Sequence, residues 1–339
     1  MKAVVLERPG QLSFVDTGPP DKPKPGEATV LVKTIGICGT DLRAYEGSQP
    51  FFQYPRVLGH ELGVEILEVG DNGKGLAAGE QCAVEPYLNC GHCSACRRGK
   101  TNCCKNLRLL GVHIDGGMLG VLTVPIAKLH KSEGLSLDQL ALVETLSIGA
   151  HAVRRAALQP GETVLIIGVG PIGLAILQSV RENADRVITM DISVKRLEFC
   201  RNTMKVSDCI DATSNPLPEL QELLDGGLPT AIFDCTGNKQ SMQASFSYVE
   251  HGGKLVFVGL FNGEVAFNDP NFHQRELTVL SSRNATGEDF RQIMDGMRSG
   301  RIDIKPWVTH RVSSASIIDA LPEWASGDND VIKAIVEWQ

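Results

Sequence analysis

Short apolar or alternating runs, cut by glycine and proline, fill the first third of this 339-residue chain. They cover residues 29–34, 63–69, 81–84 and 122–124, and residues 1–6 form another. The stretch Asp-Lys-Pro-Lys-Pro-Gly at 21–26 is typical of the breaks between them. Short strands separated by turn residues predict a small β-barrel or sandwich. The texture changes at 137–155, where apolar positions recur with helical spacing and no glycine or proline intervenes before Gly149. Beyond Gln159-Pro160-Gly161-Glu162 the pattern predicts a strand at 163–168, a helix at 171–182, a strand at 186–191 and a helix at 194–202. Further strands are predicted at 231–235, 254–260 and 277–282. Such alternation is the signature of a parallel, doubly wound sheet, so the fold class is α/β. Residues 333–338 read as a strand that returns to the first domain. Internal repeats and low-complexity segments are absent from the sequence.

Composition narrows the function. Hydrophobic residues make up 42%, charged residues 22%, and there are 35 glycines, which suits a packed α/β protein of two domains. The net charge is −7, and no basic block exceeds pairs such as Arg97-Arg98, which argues against a nucleic-acid partner. No apolar run approaches the roughly 20 residues that span a bilayer. With no secretory leader pattern, a cytoplasmic protein without a membrane partner is expected.

Three constellations carry chemistry. Cys90, Cys93, Cys96 and Cys104 stand at spacings that let four sulfurs converge on one metal. A closed set of four thiolates suits a structural zinc, because no coordination position remains for substrate. Disulfides and an iron–sulfur cluster are the alternatives, and Cys103 beside Cys104 blurs the identity of the fourth ligand. The second constellation is Gly168-Val169-Gly170-Pro171-Ile172-Gly173, which follows an apolar strand and opens a helix. There the glycines allow a tight turn, backbone approach to a pyrophosphate, and helix-on-strand packing. Asp191 ends the next strand, where a carboxylate binds the ribose 2′-hydroxyl and selects NAD, while Lys195 and Arg196 nearby pull towards NADP. The third is Cys38-Gly39-Thr40-Asp41 with His60-Glu61 and, further on, Glu144, a set able to form an open zinc site with three protein ligands. A buried cysteine and a capped turn are the plain alternatives for it.

With all three present, the chain resembles, from end to end, the zinc-dependent medium-chain dehydrogenases of the alcohol/polyol dehydrogenase superfamily. It is most similar to the sorbitol, threonine and galactitol-phosphate dehydrogenase branch, where a glutamate replaces a third cysteine at the catalytic metal. Residues 47–61, 110–117 and 281–286 resemble bacterial hexonate dehydrogenases that oxidise L-galactonate, and also a starvation-sensing relative.

The resemblance implies a GroES-like β-barrel catalytic domain over 1–150, with a structural zinc lobe at about 88–106. A Rossmann NAD-binding domain over 151–285 follows, then a return to the catalytic domain over 286–339. It implies a catalytic zinc on Cys38, His60 and Glu144, with Glu61 as a ligand or exchange partner, and a structural zinc on Cys90, Cys93, Cys96 and Cys104. Asp41 would orient His60, and Thr40 would contact the substrate oxygen and begin proton removal. Gly168, Gly170, Pro171, Ile172, Gly173, Asp191 and Arg196 would bind NAD, while Val258, Gly259, Leu260, Ser282 and Arg283 would line its nicotinamide side. The expected substrate is a polyol or sugar acid, a hexonate being favoured. A homodimer or homotetramer is expected, with residues 255–261 adding to a partner's sheet edge. A non-catalytic sensor that binds zinc and nucleotide is the rival.

Departures from the family pattern bear on substrate and proton route. Val64 stands where a glycine is usual, which predicts a crowded turn near the site, and Glu144-Thr145 replaces Glu-Pro. Gly120 and Val121 replace acidic and aromatic residues. Arg43 occupies the position of a proton-relaying histidine. An arginine stays protonated and cannot relay, so it is expected to clamp a substrate carboxylate or the NAD phosphates, or else to be a solvated surface residue.

Overall fold

A computed structural model of the chain describes residues 1–50, 52–71, 75–181, 183–327 and 331–338. Phe51, within the run 47–61, and Glu182, the last residue of the helix expected at 171–182, lie outside the described residues. The chain divides into two compact units, Met1–Ser147 with Ala285–Gln339, and Ile148–Asn284.

The first unit is built on a seven-stranded sheet. Leu129–Lys131, Gln81–Val84, Glu61–Val69, Glu27–Ile37, Lys333–Glu337 and Val308–Ser313 follow one another across it, and Val121–Pro125 also pairs with Glu27–Ile37. Leu62, Val64 and Ile66 alternate into the core and meet Ile35, Val32 and Val30 of the neighbouring strand, where a register shift between Val32 and Thr34 brings Ile35 onto the same face. Each such burial contributes roughly 1.5–3 kcal/mol. Val64 therefore sits in a strand, opposite Val32 and Cys82, and not in the turn expected from the family pattern. The carboxy-terminal strand pairs antiparallel with the end of Glu27–Ile37, Ala334 lying opposite Ile37. That return brings Lys333 beside the segment leading to Cys38. A separate three-stranded sheet joins Gln11–Asp16, Lys2–Arg8 and Arg56–Val57.

The second unit carries a six-stranded sheet, parallel throughout. Its order is Asp208–Asp211, Arg186–Asp191, Thr163–Ile167, Ala231–Asp234, Lys254–Phe257, Thr278–Ser281. The chain starts at Thr163–Ile167 and winds out in both directions, so the topological switch lies where that strand meets Ala231–Asp234. Ligands bind at the carboxyl ends of strands at such a switch. The strand expected at 254–260 stops at Phe257, because the N–H groups of Val258 and Gly259 both turn back to the Asp234 carbonyl, at 2.9 and 3.0 Å. It is also an inner strand, paired on both sides, so residues 255–261 offer no free edge; the open edge on that side is Thr278–Ser281. The helical periodicity read over 137–155 forms one helix, Leu137–Ala156, which runs through Gly149. Among the described residues, no helix is long and apolar enough to cross a membrane.

Candidate active site

The loop after the short strand Tyr87–Leu88 holds only a four-residue helix, Ser94–Arg97, and one 3-10 turn, Thr101–Cys103. It gathers the sulfurs of Cys90, Cys93, Cys96 and Cys104 within 4.8 Å of one another. Cys103 stays exposed and outside the group. Cys93 and Cys96 are 3.5 Å apart, sulfur to sulfur. That is far beyond the roughly 2.05 Å of a disulfide, and close to the roughly 3.8 Å edge of a tetrahedron whose metal–sulfur arms are about 2.3 Å. Backbone N–H groups face two of the sulfurs, Cys90 to Cys104 at 3.3 Å and Cys96 to Cys93 at 3.5 Å. The N–H groups of Cys96 and Lys105 bring the Cys93 thiol down to about 6, whereas desolvation pushes Cys96 up to about 11.

A second donor group forms from two turns of the first unit. Cys38 precedes the helix Gly39–Glu46, and His60 precedes the strand that begins at Glu61. The donor atoms of Cys38, His60 and Glu61 lie within 4.8 Å of one another. Asp41 ties these turns together: its Oδ2 accepts the Cys38 N–H at 2.9 Å and its Oδ1 the Gly59 N–H at 3.4 Å. Asp41 Oδ1 also faces His60 Nδ1 at 3.6 Å. Glu144 comes from the helix Leu137–Ala156; its Oε1 accepts the Tyr87 hydroxyl, and its Oε2 is buried without a hydrogen-bond partner among the described residues. Thr40 is half-buried on the first turn of Gly39–Glu46, and Arg43, one turn further on the same face, is exposed.

Lys333 is 1% exposed and completes this corner. Its Nζ donates to both oxygens of Glu61, at 2.6 and 2.7 Å, and to the Ile37 carbonyl at 3.2 Å. Gly36 makes room for the pair, since a Cβ there would overlap the Glu61 carboxylate. The field at the centre is uneven. Burial lifts Glu144 to about 7, with His60, Tyr87 and Lys333 opposing it. Burial would lower His60, but Asp41, Cys38 and Glu144 outweigh it and hold the imidazole well above its ordinary value. The Tyr87 phenol is raised by burial first and by Glu144 second.

At the switch point of the second unit, Gly168 turns with φ +84°, a Cβ added at Gly170 would meet Arg196 alone among the described residues, and Gly173 packs against the Gly168 carbonyl. The helix Pro171–Val180 starts there. Asp191 Oδ2 accepts the Val169 N–H at 2.7 Å and Oδ1 the Ser193 N–H at 2.8 Å, so the acid is fixed beside the turn. An Arg196 guanidinium nitrogen lies 3.9 Å from Asp191 Oδ2. Leu260 is 55% exposed, and the Ser282 hydroxyl is buried with no hydrogen-bond partner among the described residues.

Residues 24–134 match the alcohol dehydrogenase GroES-like domain, and residues 156–299 the zinc-binding dehydrogenase domain. An L-galactonate-5-dehydrogenase from Escherichia coli K12 is 39% identical over 338 residues, covering 99% of this chain and 98% of its own. This chain belongs to the zinc-type alcohol dehydrogenases. An L-idonate 5-dehydrogenase from Vitis vinifera is 31% identical over 323 residues, covering 91% of this chain and 87% of its own. Among solved structures, the Escherichia coli CFT073 alcohol dehydrogenase rspB, complexed with NADH, superposes with a TM-score of 0.92 at 31% identity over 99% of both chains. Membership makes the protein an oxidoreductase with a GroES-like domain and a Rossmann sheet.

The residues of this dehydrogenase fit the metal its family implies. Thiolate, imidazole and carboxylate are the donors of catalytic zinc sites, and the four-sulfur group is that of structural ones. Glu144 Oε2, buried without a partner, is an atom that a cation would satisfy, and a dication beside Glu144 and Cys38 offsets the burial that lifts the carboxyl. Sequence reasoning missed two residues here. Lys333 carried a weak signal, as the lone charge at the head of an apolar strand; Tyr87 carried none.

Proposed function

We propose that this dehydrogenase oxidises a secondary hydroxyl of a sugar acid, a hexonate such as L-galactonate, with NAD as the acceptor. The observation that carries the reading is the 39% identity to an L-galactonate-5-dehydrogenase over 98% of that protein's length. Cys38, His60 and Glu144 are assigned to the catalytic zinc, with Glu61 as the alternate ligand, and Cys90, Cys93, Cys96 and Cys104 to the structural one. When bound, the catalytic zinc supplies a Lewis acid that lowers the pKa of the substrate hydroxyl, and NAD supplies the hydride acceptor.

The chain's own residues do the rest. Asp41 Oδ1, 3.6 Å from His60 Nδ1, is the carboxylate on that side of the ring and leaves Nε2 to coordinate. Thr40 Oγ1, half-buried on the turn after Cys38, would receive the proton of the substrate hydroxyl while passing its own on towards the nucleotide ribose and water. Arg43, exposed on the same face one turn away, pairs with the substrate carboxylate. The free N–H groups at the start of Pro171–Val180 hold the dinucleotide phosphates. Asp191 binds the adenosine ribose, with Arg196 beside it, while Val258, Gly259, Leu260, Ser282 and Arg283 line the nicotinamide. The proposal includes a cytoplasmic homodimer or homotetramer, and light scattering of the purified enzyme distinguishes the two assemblies.

A substrate panel tests the reading. NADH formation should be fastest with L-galactonate or another hexonate, at least tenfold above sorbitol at equal concentration. Turnover of neutral polyols with none of the hexonates would overturn it.

A further inference from the structure

Glu61 groups with Cys38 and His60 within 4.8 Å, while Glu144, the expected ligand, stands outside that group and near enough to act on the His60 charge. The four oxygens of these carboxylates are not equivalent. Both Glu61 oxygens receive Lys333. Glu144 Oε1 receives the Tyr87 hydroxyl. Only Glu144 Oε2 is buried with no partner among the described residues. Whatever selects that oxygen also selects how Glu144 can bind a metal: through one atom and not through both.

Tyr87 is held firmly enough to make that selection. It is fully buried in the strand Tyr87–Leu88, which pairs with Arg108–Leu109 on the far side of the cysteine lobe. Its ring meets Phe290 edge-on at 6.4 Å, and Phe290 stacks on His130 at 5.0 Å. His130 Nε2 lies 3.3 Å from Glu85 Oε2, while Lys128 holds Glu85 Oε1. Glu85 also donates its backbone N–H to the Lys128 carbonyl at 2.8 Å. The chain entering Tyr87 is therefore pinned by a buried ion-pair cluster two residues upstream. The chain leaving it is pinned by the lobe that begins at Cys90. A phenol needs an acceptor when buried, but it does not need the carboxylate of a metal-site residue, and here the whole mount aims at that one.

We propose that Tyr87 is a positioning residue for the catalytic metal, occupying Glu144 Oε1 so that Oε2 is the single carboxylate oxygen free to ligate. The proposal rests on the assignment of Glu144 to the zinc made above. It also gives the buried Glu85–Lys128–His130 cluster a task, since that cluster fixes the backbone from which the hydroxyl reaches Glu144.

The test uses the full-length enzyme with cobalt(II) at the catalytic site, in the unmodified protein, Tyr87→Phe, Glu144→Gln and the double variant. Two readouts are followed: the cobalt d–d absorption, and the rate at which the catalytic metal is lost to a chelator. Phenylalanine keeps the ring contact with Phe290. Tyr87→Phe should therefore keep the four-thiolate zinc and the thermal midpoint, yet shift the cobalt bands and speed metal loss by roughly 10–100-fold, as loss of a ligand's hydrogen-bond partner does. In the Glu144→Gln background the same change should add nothing. Unchanged bands and retention in Tyr87→Phe would overturn the proposal, and so would an effect undiminished in the Glu144→Gln background. If Glu144→Gln itself moves neither readout, the assignment of Glu144 fails and takes the proposal with it. Should Tyr87→Phe not fold, a fluorotyrosine at position 87 keeps the shape and sharpens the hydroxyl's acidity. The cobalt bands should then shift, and unshifted bands reject the role.

Discussion

Removing the Lys333 charge while keeping its hydrocarbon volume, as in Lys333→Met, isolates a single electrostatic question. Lys333 is 1% exposed and is the partner of both Glu61 oxygens, at 2.6 and 2.7 Å. Methionine replaces the methylenes but leaves the fully buried Glu61 carboxylate without its counter-charge. Breaking a buried pair from one side costs about 3–5 kcal/mol, because the remaining charge is uncompensated. With a urea m-value of about 3 kcal/mol per molar, the unfolding midpoint should fall by roughly 1–1.7 M at unchanged m. The double variant Glu61→Gln with Lys333→Met removes both charges and should recover at least half of the loss. Burial pulls the Lys333 ammonium down, but Glu61 and Cys38 outweigh it and raise it above the usual lysine value. A raised lysine contributes its full stability below the unfolded-state pKa and loses it only as pH climbs through the folded-state one. In the unmodified protein the pair should therefore keep its full contribution between about pH 6 and about pH 9. A midpoint shift below about 0.3 M, or a double variant no better than the single one, would refute the reasoning.

Three further outcomes follow from the two metal groups, the dinucleotide turn and the exposed Arg43. Freshly prepared protein should carry two zinc ions per chain, and brief chelation should remove one together with activity; metal analysis finding one or none at the outset contradicts this. Asp191→Ser should weaken NAD binding and improve NADP, because the carboxylate that repels a 2′-phosphate is gone while Arg196 remains in reach; a parent enzyme that already prefers NADP in parallel kinetics would reverse the reading. Arg43→Ala should raise the Michaelis constant for a hexonate far more than for its neutral polyol, by the roughly 1.5–3 kcal/mol of a charge-assisted bond, or about 10–100-fold. Equal effects on both substrates exclude the clamp.

What was legible in the sequence were features with a fixed local spacing. The four cysteines and the glycine turn after an apolar strand need only their neighbours to be recognised, and both form as spaced. The returning carboxy-terminal strand was visible as an apolar run, and it pairs with Glu27–Ile37. Lys333 and Tyr87 were not legible as site residues, because their partners, Glu61 and Glu144, are distant in sequence and meet them only through sheet pairing and helix packing. Strand ends were misjudged where hydrogen bonding overrides hydropathy. Val258 and Gly259 are apolar, yet their N–H groups turn back to Asp234, and Phe257 ends the strand. Hydropathy likewise cannot separate an inner strand from an edge strand, so 255–261 read as an edge although Thr278–Ser281 covers it. The helix Gly287–Arg298 was not among the expected elements, although it carries a start signal, Thr286 with Asp289 three residues on, and Phe290, Ile293, Met294 and Met297 in helical register.

The central claim is that the carbon bearing a secondary hydroxyl of a sugar acid gives its hydride to NAD on this protein. L-galactonate deuterated at carbon 5 tests it directly, with the NADH product weighed by mass spectrometry. One deuterium per reduced cofactor, with no exchange from water, is the result expected. Reduced cofactor that carries no deuterium, or no reduced cofactor at all from the zinc-loaded enzyme, would contradict the account.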